Sequence, residues 1–168
     1  RCSVLRRLGL AVDPLAERCE GCGRQLDAHG FHRTTCMRNG RVQLRHKPLI
    51  KLWQRIFRET GIQLPQTNIE RLLSRTHVRR GPNDMRRMDL VAPGNDGIYG
   101  GCPLYMDVTI VSPVHGTGLP MPRSHTQNGA AVQRAEVRNR TVDYPDVEAS
   151  PLAQLLSLGV ETYGRWSE

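Results

Sequence analysis

Long apolar runs and aromatic residues are scarce in this chain of 168 residues. No apolar stretch approaches the roughly 20 residues that cross a bilayer, which excludes a membrane-spanning helix. Hydrophobic residues make up 38% of the sequence and aromatic residues 5%. We therefore expect a small hydrophobic core that a local cross-link helps to stabilise. The opening residues lack the pattern of a signal peptide. Because the chain begins with Arg1 rather than Met, we expect a segment of a longer protein.

Lysine is also scarce, and the charge is unevenly distributed. Lys47 and Lys51 are the two lysines among 24 cationic residues, and the remaining 22 are arginines. Residues 1–87 carry 19 cations and 7 acids, a net charge of +12, whereas residues 88–168 carry 5 cations and 9 acids, a net charge of −4. The total of +8 therefore comes from the first part, which predicts a polyanion contact there.

The five cysteines are odd in number, which disfavours a disulfide framework. Cys19, Cys22, His32 and Cys36 follow the spacing C-x2-C-x9-H-x3-C. A C-x2-C turn aims two thiolates at one point, and a His and a Cys four residues apart lie on one helical face, so this spacing predicts a tetrahedral Zn²⁺ site. His29 remains an alternative third ligand, although the spacing of His32 is the commoner one.

The rest of the chain alternates helix and strand signals. We predict helices from Pro48 to Gly61, from the Thr67–Glu70 capping box to about His77, over Ala130–Tyr144 and over Ser150–Gly159, and strands over Met88–Pro93, Leu104–Ser112 and Val160–Trp166. Pro113–Asn128 is expected to be a long loop. The succession predicts a zinc knuckle with its lead-in over residues 1–42, followed by a small α/β domain over residues 43–168.

Three acids could carry chemistry on this scaffold. Asp89 and Asp107 lie in the two best strands and are flanked by apolar residues, where an acid is costly unless it is paired or binds a metal. Two such acids are a candidate Mg²⁺ site for phosphodiester hydrolysis. The alternatives are a salt bridge from Asp89 to Arg86 or Arg87 and a solvent-facing Asp107. Glu70 is a third candidate ligand, or the capping partner of Thr67.

The order of several motifs resembles one family. The motifs are "CEGCG-x-x-LD-x-x-G-x-H-x-x-x-C", "RHK" at Arg45–Lys47, "RRMDLVAPG", "YMDVTIVSP", an Ala-rich helix that ends in Tyr144, and "VETYGRW". They are similar to the C-terminal region of non-LTR retrotransposon polyproteins, which carries a zinc knuckle and a restriction-enzyme-like endonuclease after the reverse transcriptase.

The resemblance implies a PD-(D/E)XK-type domain whose metal ligands are Asp89 and Asp107. It also implies metal-dependent nicking of target DNA with Mg²⁺ or Mn²⁺, for target-primed reverse transcription. Thr109 stands where a D-x-K enzyme has its lysine. In the family this lysine is often carried by the following helix, which makes Arg138 our candidate for the displaced cation, before Arg134 or Arg140. Arginine does not readily release a proton, so it cannot replace a lysine that must transfer one. The alternative hypothesis is therefore a catalytically degenerate nucleic-acid-binding module.

Eight arginines are predicted to contact phosphates: Arg24, Arg33, Arg38, Arg45, Arg79, Arg80, Arg86 and Arg87. The partners that follow from the resemblance are target DNA, element RNA and the reverse transcriptase of the same polyprotein. It also implies a nuclear location.

Overall fold

The computed structural model describes residues 5, 10–12, 17–62, 64–65, 68–76, 78, 83–94 and 101–162. The chain divides into two compact units. The first contains Arg1–His46, Ile110–Arg134 and Val160–Glu168, and the second contains Lys47–Thr109 and Ala135–Gly159. Residues 110–134 thus belong to the same unit as the predicted knuckle. The predicted division after residue 42 assigns them to the second domain instead.

The secondary structure is a mixture of helix and strand, as predicted. The elements in chain order are α1 (Phe31–Thr35), α2 (Arg41–Glu59), β1 (Ile69–Leu72), β2 (Arg87–Ala92), β3 (Leu104–Val111), α3 (Ala130–Arg138), α4 (Pro145–Glu148) and β4 (Gln154–Glu161). A π-helical turn, Asn139–Asp143, continues α3. None of the described helices has both the length and the apolar surface that a bilayer-spanning segment needs.

The four strands form one sheet in the order β1-β2-β3-β4. β2 runs antiparallel to both β1 and β3. At the two ends of β4, the N–H of Gln154 donates to the carbonyl of Pro103 at 3.0 Å and the N–H of Thr162 donates to that of Val111 at 2.8 Å. β3 and β4 therefore run in the same direction. A parallel pair needs a crossover connection, and the segment that contains α3 and α4 provides it.

Alternation along β2 and β3 directs side chains to two opposite faces of the sheet. On the first face, α2 packs against the sheet through one core cluster, which includes Ile50, Phe57, Leu90 and Met106. The cluster on the second face includes Val91, Tyr105 and Val147. Asp89 and Asp107 have the same parity as Val91 and Tyr105, so their side chains share the second face, opposite α2.

Three sequence predictions of secondary structure are wrong. α2 begins at Arg41, not at Pro48, and Pro48 lies inside it. The proline removes one intrahelical hydrogen bond to Leu44, but both residues are exposed, so water can take the place of the missing N–H.

The other two errors concern short segments that form strands rather than helices. Residues 69–72 form β1, and β4 occupies most of the segment predicted as a helix over Ser150–Gly159. Periodicity cannot distinguish a short buried strand from a helical segment, and only pairing with β2 or β3 decides the conformation. Thr67 and residues 163–168 lie outside the described residues.

Candidate functional site

The predicted zinc ligands converge in the first unit. Ligand atoms of Cys19, Cys22, His32 and Cys36 all lie within 4.8 Å of one another. His32 Nε2 is 3.1 Å from Cys22 Sγ, whereas His29 Nδ1 lies 3.4 Å from the carbonyl oxygen of Leu10. Of the two histidines, His32 is therefore the one that joins the three cysteines. Three thiols and one imidazole at these positions could hold a metal such as zinc.

Local hydrogen bonds give the cluster its shape. The N–H of Cys19 donates to the carbonyl of Arg24, and the N–H of Gly23 donates back to the carbonyl of Cys19, each at 2.8 Å. Gly23 takes φ +71°, which a side chain would disfavour, so the tight turn after Cys22 depends on this glycine. The turn directs both thiols to the same side.

Asp27 holds α1, which contains His32 and ends just before Cys36. Its carboxylate accepts the N–H of Phe31 at 2.9 Å and that of His32 at 2.8 Å, at the start of α1. Burial acts to raise the pKa of Asp27, but the N–H donors led by His32 outweigh it and lower the pKa. The charged carboxylate thus stabilises the first turn of α1, and with it the position of His32.

The thiols differ in acidity. The N–H of Gly21 lowers the pKa of the Cys19 thiol to about 6, against the opposing effect of burial. Burial raises the pKa of the Cys36 thiol. Since thiolates are the metal-binding form, the Cys19 thiol is more readily available to a metal at neutral pH than the Cys36 thiol.

A loop from the segment after β3 packs on α1. Val114 and Pro120 form an isolated bridge, and the turn between them contains Gly116 and Gly118. A Cβ atom on Gly116 would lie 3.3 Å from His32 Nδ1, and one on Gly118 would lie 2.9 Å from the ring of Phe31. Two glycines therefore allow the loop to approach the metal-binding helix.

The two aspartates of the second unit also come together. The register pairs Leu90 with Met106 and Val91 with Tyr105, and one further step places Asp89 opposite Asp107. Asp89 Oδ2 accepts the N–H of Val108 at 2.7 Å. The carboxylate thus bonds to the backbone of the neighbouring strand, beside Asp107.

Asp107 is surrounded by neutral donors. Its Oδ2 accepts the hydroxyl of Thr109 and, at 2.8 Å, the side-chain amide of Asn139. Its Oδ1 lies 3.3 Å from the hydroxyl of Tyr144. Burial raises the pKa of the Asp107 carboxyl; the Thr109 hydrogen bond opposes this effect and the charge of Asp89 adds to it. Burial, with the Asp107 charge, also raises the pKa of Tyr144.

The other predicted catalytic residues do not join this pair. Glu70 is exposed on β1 with φ +48°, and it belongs to no described group of three metal-binding side chains. The guanidinium of Arg138 pairs with Asp143 at 3.2 Å and its side chain is 70% exposed. Arg134 donates to Ser124, and Arg140 pairs with Glu136 and Glu148. No described contact links Arg138 or these alternatives to Asp107.

The predicted phosphate-binding arginines differ in accessibility. Arg24, Arg38 and Arg87 are exposed. Arg33 is half-buried, and Arg45 donates to the carbonyl of Thr34 at 2.6 Å. Arg79 and Arg80 lie outside the described residues.

Arg86 has a structural environment instead. Its guanidinium bonds to Asp84 at 2.7 Å, to Asp146 at 2.6 Å and to the carbonyl of Asp143 at 2.7 Å, and the hydrogen bonds to the two carboxylates raise its pKa. It therefore holds the segment around Tyr144 against the start of β2. Such a guanidinium is a poor candidate for a phosphate contact, and it pairs with these acids rather than with Asp89.

Sequence reasoning missed Asn139 and Ser157, and it treated Thr109 only as a missing lysine. Asn139 gave no signal in the sequence because a cation was the residue type expected after β3.

No family model matches the chain, and no curated protein or solved structure matches it either.

Proposed function

We propose that this chain is the DNA-nicking endonuclease domain of a non-LTR retrotransposon, preceded by a structural zinc knuckle. The observation that carries the proposal is the convergence of Asp89 and Asp107 on adjacent antiparallel strands. Two neighbouring carboxylates repel each other, and a divalent cation between them removes the repulsion. Carboxylate oxygens are ligands that Mg²⁺ and Mn²⁺ prefer.

The fold around the pair supports a restriction-like domain. The acids lie on the second and third strands of a four-stranded sheet, with α2 on one face and the segment of α4 on the other. The resemblance of the sequence to restriction-like PD-(D/E)XK domains implies the same two acids as metal ligands. The retroelement context, the target DNA, the element RNA, the linked reverse transcriptase and the nuclear location rest on that resemblance.

In this function, Asp89 and Asp107 would hold the metal. The bound Mg²⁺ or Mn²⁺ would polarise the phosphate and lower the pKa of an attacking water. Thr109 and Asn139 keep the Asp107 carboxylate in place, and Tyr144 packs beside it. Exposed Arg87, at the start of β2, is the described cation best suited to hold the DNA backbone close to the acids.

Nicking of supercoiled plasmid by the zinc-loaded chain, with and without Mg²⁺, tests the proposal. We expect Mg²⁺-dependent conversion to the open circle, and a loss of at least about 100-fold in Asp107→Ala. Glu148→Ala, which removes an exposed acid of α4, is the matched control and should nick like the wild type. Equal nicking by Asp107→Ala and the wild type would refute the assignment.

The second candidate is a non-catalytic nucleic-acid-binding module. It is favoured by the surroundings of Asp107, whose described hydrogen-bond partners are all neutral, and by Arg138, which pairs elsewhere. A module of this kind would bind DNA with the same affinity in Asp107→Ala as in the wild type and would show no Mg²⁺-dependent nicking.

A further inference from the structure

Asn139 is a buried polar residue at the junction of α3 and the π-helical turn. It is 6% exposed, and the N–H of Tyr144 bonds to its carbonyl, five residues back, at 2.7 Å. Its side-chain amide lies 2.8 Å from Asp107 Oδ2, 3.1 Å from Ser157 Oγ and 3.3 Å from Thr109 Oγ1. The π turn thereby directs a neutral amide from the crossover segment toward the sheet.

The hydrogen bonds divide the two oxygens of the Asp107 carboxylate. Oδ2 accepts both Thr109 and Asn139. Oδ1 has one neighbouring donor among the described residues, the Tyr144 hydroxyl at 3.3 Å, and that hydroxyl lies closer to the carbonyl of Arg87, at 3.1 Å. A hydroxyl has one proton to donate, so Oδ1 is the carboxylate oxygen with the weaker hydrogen bonding.

We propose that Asn139 is a positioning residue for a divalent cation at the Asp89–Asp107 pair. By holding Oδ2 together with Thr109, it orients Asp107 so that Oδ1 serves as the metal ligand. The inference rests on the proposed function. In it, a neutral amide takes the place on the crossover segment where the sequence predicts a cation. An amide also suits a metal site because it adds no positive charge to repel the incoming ion.

The test measures Mn²⁺ affinity by calorimetry on the full chain with zinc already bound. Hydrogen-bond partners of metal ligands typically contribute about 10–100-fold to affinity, so Asn139→Ala should weaken Mn²⁺ binding by at least about 10-fold. Thr109→Val, which keeps the shape of the side chain and removes the hydroxyl, should weaken it in the same direction. Asn68→Ala, at another buried asparagine that bonds to Arg71, is the matched control and should bind Mn²⁺ like the wild type.

The outcomes separate this inference from the proposed function. If Asp107→Ala abolishes Mn²⁺ binding but Asn139→Ala and Thr109→Val bind like the wild type, the role of Asn139 is refuted and the metal site stands. If the wild type binds no Mn²⁺, or Asp107→Ala binds it equally well, the proposed function fails and the inference with it. Circular dichroism checks each fold, and if Asn139→Ala does not fold, Thr109→Val decides the question.

Discussion

Asp107 carries a charge that its surroundings oppose. It is partly buried, it faces Asp89, and its described hydrogen-bond partners are neutral. Its raised pKa means that the folded state binds the proton more tightly than the unfolded chain does. The charged carboxylate therefore costs stability at neutral pH, and this cost disappears as the pH falls through the raised pKa.

We therefore expect Asp107→Asn to stabilise the zinc-loaded protein at pH 7.5 in magnesium-free buffer. A gain of about 1 kcal/mol corresponds to a rise in Tm of roughly 2–4 °C for a chain of this size. The difference in Tm should shrink as the pH is lowered toward the ordinary pKa of Asp. At that pH the wild-type carboxyl becomes protonated and, like the amide of the variant, carries no charge. Differential scanning fluorimetry across this pH range measures the effect.

Asp146→Asn is the control for this prediction. It weakens the ion pair with Arg86 and should lower Tm at pH 7.5. A fall in Tm for Asp107→Asn of the same size as for Asp146→Asn would show that Asp107 contributes to the stability of the fold, as an ordinary buried acid with satisfied partners does.

At the scale of elements, the loop that contains Gly116 and Gly118 packs against α1, which carries His32 of the Cys3His cluster. Gly118 has φ +87°, and a Cβ there would lie 2.9 Å from Phe31 Cδ2, next to the ligand His32. The loop and α1 are far apart in the sequence, with most of the second unit between them. The approach is therefore a tertiary contact that the C-x2-C-x9-H-x3-C spacing does not reveal.

We expect Gly118→Ala to weaken zinc binding by about 10-fold, because the new methyl group displaces Phe31 and with it the ligand helix. Gly129→Ala is a matched control: Gly129 also has positive φ, +71°, but a Cβ added there would have no atom within 4 Å. Competition with a chromophoric chelator measures both affinities. Equal affinities for the two variants would show that the loop does not support the site.

At the scale of the whole molecule, the basic part of the chain includes α2. This helix has six Lys and Arg residues and one acid. Lys47, Lys51 and Arg58 are exposed and form no ion pair in the described part of the chain, whereas Arg55 pairs with Glu59 at 2.7 Å. Phe57 and Trp53 pack toward the core, so the outer face has cations but no aromatic platform for unstacked bases. It suits the backbone of duplex DNA better than single strands.

Lys51→Ala should therefore weaken binding to a DNA duplex and reduce the slope of log K against log salt concentration by about 0.9. The double variant Arg55→Ala/Glu59→Ala leaves the net charge of α2 unchanged and should keep the wild-type slope. Fluorescence anisotropy over a range of KCl concentrations measures both. A wild-type slope in Lys51→Ala would exclude this residue from the interface.

The sequence by itself determined the features that depend on neighbouring residues. The four residues of the Cys3His cluster lie within 18 consecutive positions, and tight turns and one helical step bring them together, so their spacing was sufficient to predict that they converge. The strands β2 and β3 were predictable because β-branched and apolar residues are concentrated there. The excess of positive charge before residue 88 is a property of composition alone.

Only the tertiary structure decided which distant groups meet. Strand pairing set the conformation of β1 and β4, since a segment of four to eight residues has no stable conformation of its own. The register of β2 and β3 brought Asp89 opposite Asp107, and the π turn after α3 supplied Asn139, where sequence reasoning expected Arg138. These contacts depend on register and packing between residues on different elements, and local spacing carries no information about either.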